Sequence, residues 1–402
     1  MFSKLSGRTA RSAAAADLTC MYMGSTLVTP LYVLYAEEFG FSELMLTLIF
    51  SAYAVGNIVS LFIFGRLSDQ IGRRRTALPA IGVGMLSTLL FLFADSTVWL
   101  FVARGLSGLA IGMTSAAAAA WVVDLTRHRK EQRGAAITTG AIFSGLASAA
   151  LLGGVLAEYA PAPLKLPFIA YLAVLAILAF FVARTKDTVE DRVESLSETS
   201  LKPRIGIPRE IRRRFVSPAT TAFATFAVSG FYAALAPSLL RRDMDVSNLA
   251  VAGAVVCELF AFAALTAFAT NTMKARAAML TGAAMLIVAV AFLVAAQTLQ
   301  SLPILLGGVA ITGIATALGY RGSLQVINEL APEEQRAEVI SSFAIVCFAG
   351  NGLPVIGVGV LASIWSPVVA TVSLAAVTSV LAVIALVTEM GRRREGPQTS
   401  GR

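Results

Sequence analysis

Gly65-Arg-Leu-Ser-Asp69-Gln-Ile-Gly72-Arg73-Arg74-Arg75 is the densest run of charge and glycine in the chain, and long apolar runs flank it on both sides. A connection this short joins antiparallel helices. Gly65 lets another helix approach closely, and Gly72 can take the left-handed backbone of a turn at no steric cost. Asp69 is an acid among arginines. It can pair with Arg73 or face the positive N-terminal end of a neighbouring helix. The flanking runs decide the fold, because about 20 apolar residues are enough to cross a bilayer as a helix.

Such runs recur from end to end. The 402 residues are 57% hydrophobic and only 14% charged, with a mean hydropathy of +0.76. That composition describes an integral membrane protein rather than a soluble domain. Twelve spans are expected, at 13–36, 44–64, 77–95, 98–122, 134–157, 166–184, 215–239, 247–268, 277–297, 302–326, 337–362 and 366–389. The expected fold class is therefore all-α, with twelve transmembrane helices packed as antiparallel neighbours. The first run contains Asp17 and continues to span length, so it reads as a helix and not as a cleavable signal. Cys20, Cys257 and Cys347 all fall within apolar runs and read as small buried hydrophobes, not as a disulfide framework.

The net charge of +8 does not point to nucleic acid, because the basic residues sit in alternate loops. With a cytoplasmic N-terminus, 27 of the 32 Lys and Arg fall on the inner side and only Lys165, Arg241 and Arg242 on the outer. This asymmetry orients the chain by the positive-inside rule. Both termini are expected in the cytoplasm of a cell with the protein in its inner membrane.

One long gap, 185–214, mixes acids with a later basic run, Arg209 to Arg214. It reads as a cytoplasmic linker between an N-terminal six-helix half, 1–184, and a C-terminal half, 215–402. The run from Pro208 to Phe215 is either a short helix on anionic headgroups or a plain anchor for the seventh span. The halves look like a weak repeat. Asp124-Leu-Thr with Glu131-Gln-Arg133-Gly returns as Glu329-Leu-Ala with Glu334-Gln-Arg336-Ala, and Gly154-Val-Leu-Ala returns as Gly359-Val-Leu-Ala. Duplicated six-helix halves place a site at their interface.

These features resemble the major facilitator superfamily of transporters over nearly the whole chain. The family's signature between spans two and three, Gly-x-x-x-Asp-x-x-Gly-Arg-Arg/Lys, is matched by Gly65, Asp69, Gly72, Arg73 and Arg74. The resemblance implies that Asp69 faces span eleven of the other half and that Asp124 joins the charge cluster. Such a latch would stabilise an outward-open state. The plainer alternative is positive-inside charge with a surface ion pair of little worth. The matching turn of the second half, Asn271 to Arg276, lacks the acid and the glycines, so the latch is expected on one side only.

Leu100, Arg104, Gly108 and Gly112 are similar to the family's span-four pattern, with Ser107 where glutamine is common. An intramembrane arginine is costly unless it meets water or a partner. Arg104, Ser107, Ile111 and Ser115 share one helical face, expected to line the pathway. Snorkelling from about 9 Å deep, at 1.5 Å per residue, is the alternative. In span five the antiporters' Gly-x-x-x-Gly-Pro-x-x-Gly-Gly is represented by Gly145, Ala149, Ala150, Gly153 and Gly154. Close packing survives that change and the proline bend does not. Span eleven keeps Pro354 between Gly350 and Gly357.

Two carboxylates lie within spans. Glu258 is about 16 Å from the start of span eight by helical rise, too deep to snorkel, and is the proton-site candidate by depth, with Arg321 a conceivable partner. Asp17 sits about one turn inside span one, either binding a cationic substrate or a proton, or serving as a helix-start residue at the positive dipole end. Arg321 reads as an inner-edge anchor, and Glu37, Glu38, Glu43, Asp95 and Glu158 as outer-loop charges. Tyr22, Asn57, Thr225, Tyr232, Tyr320 and Asn351 complete a polar and aromatic pathway. The sequence shows no metal set, nucleophile–base pair or phosphate loop, so no cofactor and no enzymatic activity are expected. The expected function is proton-coupled efflux of small organic molecules by a monomer in the lipid bilayer, working by alternating access. Uptake of a sugar or organic acid, with Arg104 binding the anion, and a non-transporting sensor or scaffold are the alternatives.

Overall fold

The computed structural model describes residues 7–64, 70–124, 131–185, 187 and 205–394. Gly65 and Asp69, the side chain of Asp124, and most of the linker lie outside the described residues. The fold is all-helical. Helix α1 (Gly7–Thr26) passes through a 3-10 turn (Thr29–Leu31) into α2 (Tyr32–Phe39), and the two together form the first span. Then follow α3 (Glu43–Phe64), α4 (Arg73–Leu92), α5 (Thr97–Asp124), α6 (Glu131–Tyr159), α7 (Leu166–Arg184), α8 (Arg212–Asp243), α9 (Leu249–Ala269), α10 (Ala275–Thr298), α11 (Leu302–Leu330), α12 (Arg336–Ile364) and α13 (Pro367–Arg394). Among the described residues, the eleven helices from α3 to α13 are long and apolar enough to cross a membrane.

The first span differs from the single helix expected over 13–36. Pro30 has no N–H to donate and its ring crowds the preceding turn, so the α-helical ladder stops at Thr26. Most of the other helices overrun their expected spans at one end or both, because helix formation continues into polar sequence once a turn is nucleated, whereas α4 stops at Leu92, short of 95, and α9 begins at Leu249, past 247. Helix α12 runs unbroken through Pro354. Arg209 and Glu210 form a turn that leads straight into α8 at Arg212, so the basic run is part of the seventh span's start.

Helices α1 to α7 pack chiefly among themselves, as do α8 to α13. Two seams join the sets, α6 against α9 and α3 against α12. Helix α8 is buried over most of its length. Small residues make the close approaches. A Cβ on Gly154 would overlap the Leu249 carbonyl across the α6–α9 seam, and one on Gly108 would overlap the Tyr53 carbonyl of α3. Gly112 packs on Ser60, while Gly145 and Gly153 pack on the Thr19 and Leu27 backbone of the first span. The bundle has a basic end, holding the described chain ends and the turn before α4, and a far end opposite it.

Candidate functional site

The break in the first span explains the surroundings of Arg104. Where α1 stops, its last carbonyls lose their intrahelical donors and carry the negative end of the helix dipole. Arg104, fully buried on α5, donates from Nη1 to the Ser25 carbonyl at 2.9 Å. Its guanidinium carbon lies 5.1 Å from the Tyr53 ring centre, 5.3 Å from Phe50 and 5.9 Å from Tyr32, which is the first residue of α2. Among the described residues, Nε and Nη2 have no hydrogen-bond partner. Arg104 does not snorkel; it is walled in by three rings beside the break. Ser107 turns to the Gly24 carbonyl instead of sharing an open face with it, at 3.4 Å.

Beyond Tyr53 the aromatic wall continues into the other set of helices. Tyr53 meets Phe348 of α12 edge-on at 6.4 Å. Tyr22 of α1 lies among Tyr53, Ser115, Tyr320 and Cys347. Tyr320 of α11 in turn packs on Phe226 at 5.4 Å and stacks on Phe343 at 6.4 Å. The cluster thus spans α1, α3, α5, α8, α11 and α12. It offers rings, hydroxyls and one thiol, and its named members include no Asp, Glu, Lys or Arg. Asn351 lies nearby on α12, its carbonyl against Gly230 of α8 and its Oδ1 without a partner among the described residues. Asn57 donates to the Tyr53 carbonyl at 3.1 Å.

The other sequence candidates lie apart from this cluster. Tyr232 is fully buried on α8, near Thr312 and within electrostatic reach of Glu258. Glu258 itself is half-buried and shares its face of α9 with the exposed Ala254, Phe262 and Leu265. Among the described residues it makes no ion pair, with Arg321 or otherwise. Arg321 is 4% exposed, a buried residue and not an edge anchor. Asp17 is the eleventh residue of α1, well past the first turn, so it is not a helix-start residue. It is fully buried, and neither carboxylate oxygen has a hydrogen-bond partner among the described residues.

Acids read from sequence as solvated outer charges close the far end. Glu37 pairs with Arg241 across the two sets of helices. Glu43 accepts from Arg242 at 2.7 and 2.9 Å, and Arg242 also holds Asp243, which accepts from Gln297 at 2.8 Å. Glu158 accepts from the Leu249 N–H at 2.8 Å, at the start of α9. Deeper down, Thr29 donates to the Ala233 carbonyl and Ser51 to the Gly352 carbonyl, at 2.8 and 3.1 Å. In the three acid contacts, every acid belongs to α2, α3 or α6 and every cross-seam donor to α8 or α9.

Residues 18–353 match the family model of the Major Facilitator Superfamily. The chain belongs to that superfamily. It is a multi-pass membrane protein of a transporter family. The transporter is 21% identical to multidrug resistance protein 2 of Bacillus subtilis over 44% of each chain, and 24% identical to quinolone resistance protein NorA of Staphylococcus aureus over 42% of each. It is 21% identical to the uncharacterized MFS-type transporter MJ1560 of Methanocaldococcus jannaschii over 56% of this chain and 59% of that one. The matches span about half the length of these curated relatives. A crystal structure of a bacterial homolog of the human lysosomal transporter Spinster, inward-facing and unoccupied, aligns with a TM-score of 0.70 at 17% identity, covering 94% of this chain and 95% of that one. That likeness is one of fold.

In the transporter's signature turn, Gly72 has φ 112°, the backbone that favours glycine. Among the described residues, Asp187 is an acid at the N-terminus of α4 and accepts from the Arg73 N–H at 3.0 Å; Arg74 reaches the Ala183 carbonyl at 3.3 Å. The corresponding turn of the second half also meets an acid, since Arg276 pairs with the buried Glu389 at 3.4 Å. Sequence reading missed both acids. The signal was present in the repeat: Arg276 follows Arg73 by 203 residues and Glu389 follows Asp187 by 202.

Proposed function

We propose that the protein exports small organic molecules, drugs or metabolites, from the cytoplasm across the inner membrane in exchange for protons. The observation that carries this reading is the aromatic and hydroxyl cluster between the two sets of helices, around Tyr22, Tyr53, Tyr320 and Phe348. Ring faces and edges suit flat, apolar or weakly cationic molecules, and the hydroxyls supply a few orienting hydrogen bonds. Multidrug resistance protein 2 and NorA, both named for drug resistance, agree with it. Uptake of an anion through Arg104 fits less well, because rings enclose that charge and the Ser25 carbonyl already takes one of its donors.

The halves 1–184 and 215–402 would rock about this cluster, with the basic end and both termini in the cytoplasm. The turn from Gly65 to Arg75, with Asp69, Gly72, Arg73, Arg74 and Asp124, would act as the latch of the outward-open state, and Asp187 anchors its described end. The acid–base pairs at the far end would hold the alternate, outer-closed state. Exposed pairs contribute about 0.2–1 kcal/mol each. Arg242, which joins Glu43 and Asp243, is the most connected of them. Arg242→Glu is expected to raise the far-end-open population roughly fivefold or more. Spin-label distances across the far end would read this, and an unchanged distribution would sink the gate.

Export is tested in pump-deficient cells that express the chain, by measuring accumulation of labelled compounds. A protonophore should raise accumulation of an exported compound; lowered accumulation would mean uptake, and no flux in proteoliposomes would mean a scaffold. Glu258→Gln is expected to keep gradient-driven efflux within about twofold, since a carboxylate on an exposed helix face has little to exchange with a central site. Loss of the gradient dependence in that variant would return the proton to Glu258.

A further inference from the structure

Helix α8, which carries Phe226 to the aromatic cluster, is covered along nearly its whole membrane length, and from Ser217 to Leu240 no residue is exposed. Val216 is the exception. It is 40% exposed and is the one exposed large apolar residue of the helix. Thr220, one turn further in, turns its hydroxyl back on its own helix, to the Val216 and Ser217 carbonyls at 2.9 and 3.1 Å, and needs no outside partner. An exposed apolar residue followed by a self-satisfied hydroxyl is a surface suited to lipid chains, which offer no hydrogen bonds.

Directly before this window comes the basic run, Arg209 to Arg214, four arginines with Glu210 as the one acid. Arg209, Arg212 and Val216 recur at three- and four-residue intervals and so follow one another down one face. Both arginines are exposed. Arg213 already has a contact of its own, and Glu210 stands four residues before Arg214, off that face. The stretch that leads into the arginines is fastened. Arg212 donates from Nε to the Ile207 carbonyl at 3.1 Å, the Gly206 N–H donates to Ser342 Oγ at 3.1 Å, and Ile207 and Ile211 pack in one apolar cluster with Phe343 of α12. The bond to Ile207 uses one donor of Arg212 and leaves its two terminal nitrogens, the groups that grip a phosphate.

We propose that Arg209 and Arg212 form a seat for the phosphate of one anionic phospholipid, whose acyl chains lie against Val216 and Thr220. Position decides for a lipid over a soluble anion, because the two guanidinium groups stand at the end of a membrane span and the next surface along their face is apolar. A seat differs from ordinary charge at a membrane edge in its stoichiometry: a stretch fastened at Gly206 and Arg212 offers two guanidinium groups to one headgroup. The same stretch packs with Phe343, which stacks on Tyr320, so the seat borders the aromatic cluster. Occupancy does not rest on the export reading, since lipid is counted without transport.

The test uses the full chain purified and delipidated in detergent, with phosphatidylglycerol or phosphatidylethanolamine added back and bound lipid counted by native mass spectrometry. The wild type should keep one phosphatidylglycerol per chain in preference to phosphatidylethanolamine. Arg209→Gln and Arg212→Gln should each weaken its binding roughly fivefold. Lys274→Gln removes an exposed charge at the start of α10 and should leave binding unchanged. Equal weakening by all three variants would mean diffuse attraction to the basic end and would overturn the seat, as would a wild type that keeps no anionic lipid. Inorganic phosphate in large excess should not displace the lipid; displacement would mean that the arginines hold a soluble anion, and would overturn the lipid as occupant. Arg209 makes no ion pair among the described residues, so its variant decides alone should Arg212→Gln fail to fold.

Discussion

Arg104→Ala is expected to lower stability by about 3 kcal/mol, within the range for truncating a large buried side chain, measured as a fall in melting temperature in detergent. The loss has two parts. The charge-assisted hydrogen bond to the Ser25 carbonyl disappears, worth about 1.5–3 kcal/mol. Tyr32, Phe50 and Tyr53 also lose the flat group they surround, and a void remains between them. Against this stands the cost of keeping Nε and Nη2 buried without partners. Arg104→Met separates the two, because methionine fills the space and drops the charge. Removing an unsatisfied buried cation offsets the loss of the Ser25 contact, so Arg104→Met should lie within about 1 kcal/mol of wild type. Equal destabilisation by alanine and methionine would mean that the charge, and not the filled volume, holds the break in the first span.

Gly108→Val should be more severe, with a loss of about 3 kcal/mol or more, at or beyond the upper end for overpacking, and little monodisperse protein after gel filtration. The first atom of any side chain at 108 would overlap the Tyr53 carbonyl and crowd the Asn57 N–H of α3. These are backbone atoms, so relief requires moving one helix off the other; Gly56 is as tight against the Gly105 carbonyl, and Gly112 packs on Ser60 in the same interface. Gly105→Ala is the matched control. It lies one turn away on α5, a Cβ there meets nothing, and alanine favours the helix by up to about 1 kcal/mol over glycine. Normal behaviour of Gly108→Val would show that α3 and α5 do not pack as described.

Both outcomes depend on information of different reach. Gly108 was legible from sequence as a packing residue, because small residues spaced along a span serve that purpose in any membrane bundle. That Gly105 serves no such purpose was not legible, since the two differ only in which way α5 faces α3. Arg104 was legible as an intramembrane charge that needs a partner. Its partner is the carbonyl end of a broken helix, on another element 79 residues away. Pro30 announced the break locally, but nothing local said what would fill it.

The acids show the same division. Glu258 sits deep in a span and yet on an exposed face, while Asp17 sits deep in α1 and is sealed. Depth is a property of position along one helix, and burial is a property of its neighbours. Glu37, Glu43 and Glu158 look like loop charges until the two sets of helices are brought together and the cross-seam donors face them.

By itself the sequence determined that this protein lies in a membrane, roughly where it crosses, and to which family it belongs. Each of these follows from hydropathy, charge and motif read along the chain, where contributions are local and add up. The tertiary structure alone decided that Arg104 sits against a break, that Asp17 is sealed, and that acids pair across the far end. Those depend on how helices rotate and cross, and a rotation of a few tens of degrees moves a side chain from lipid to core without changing one residue.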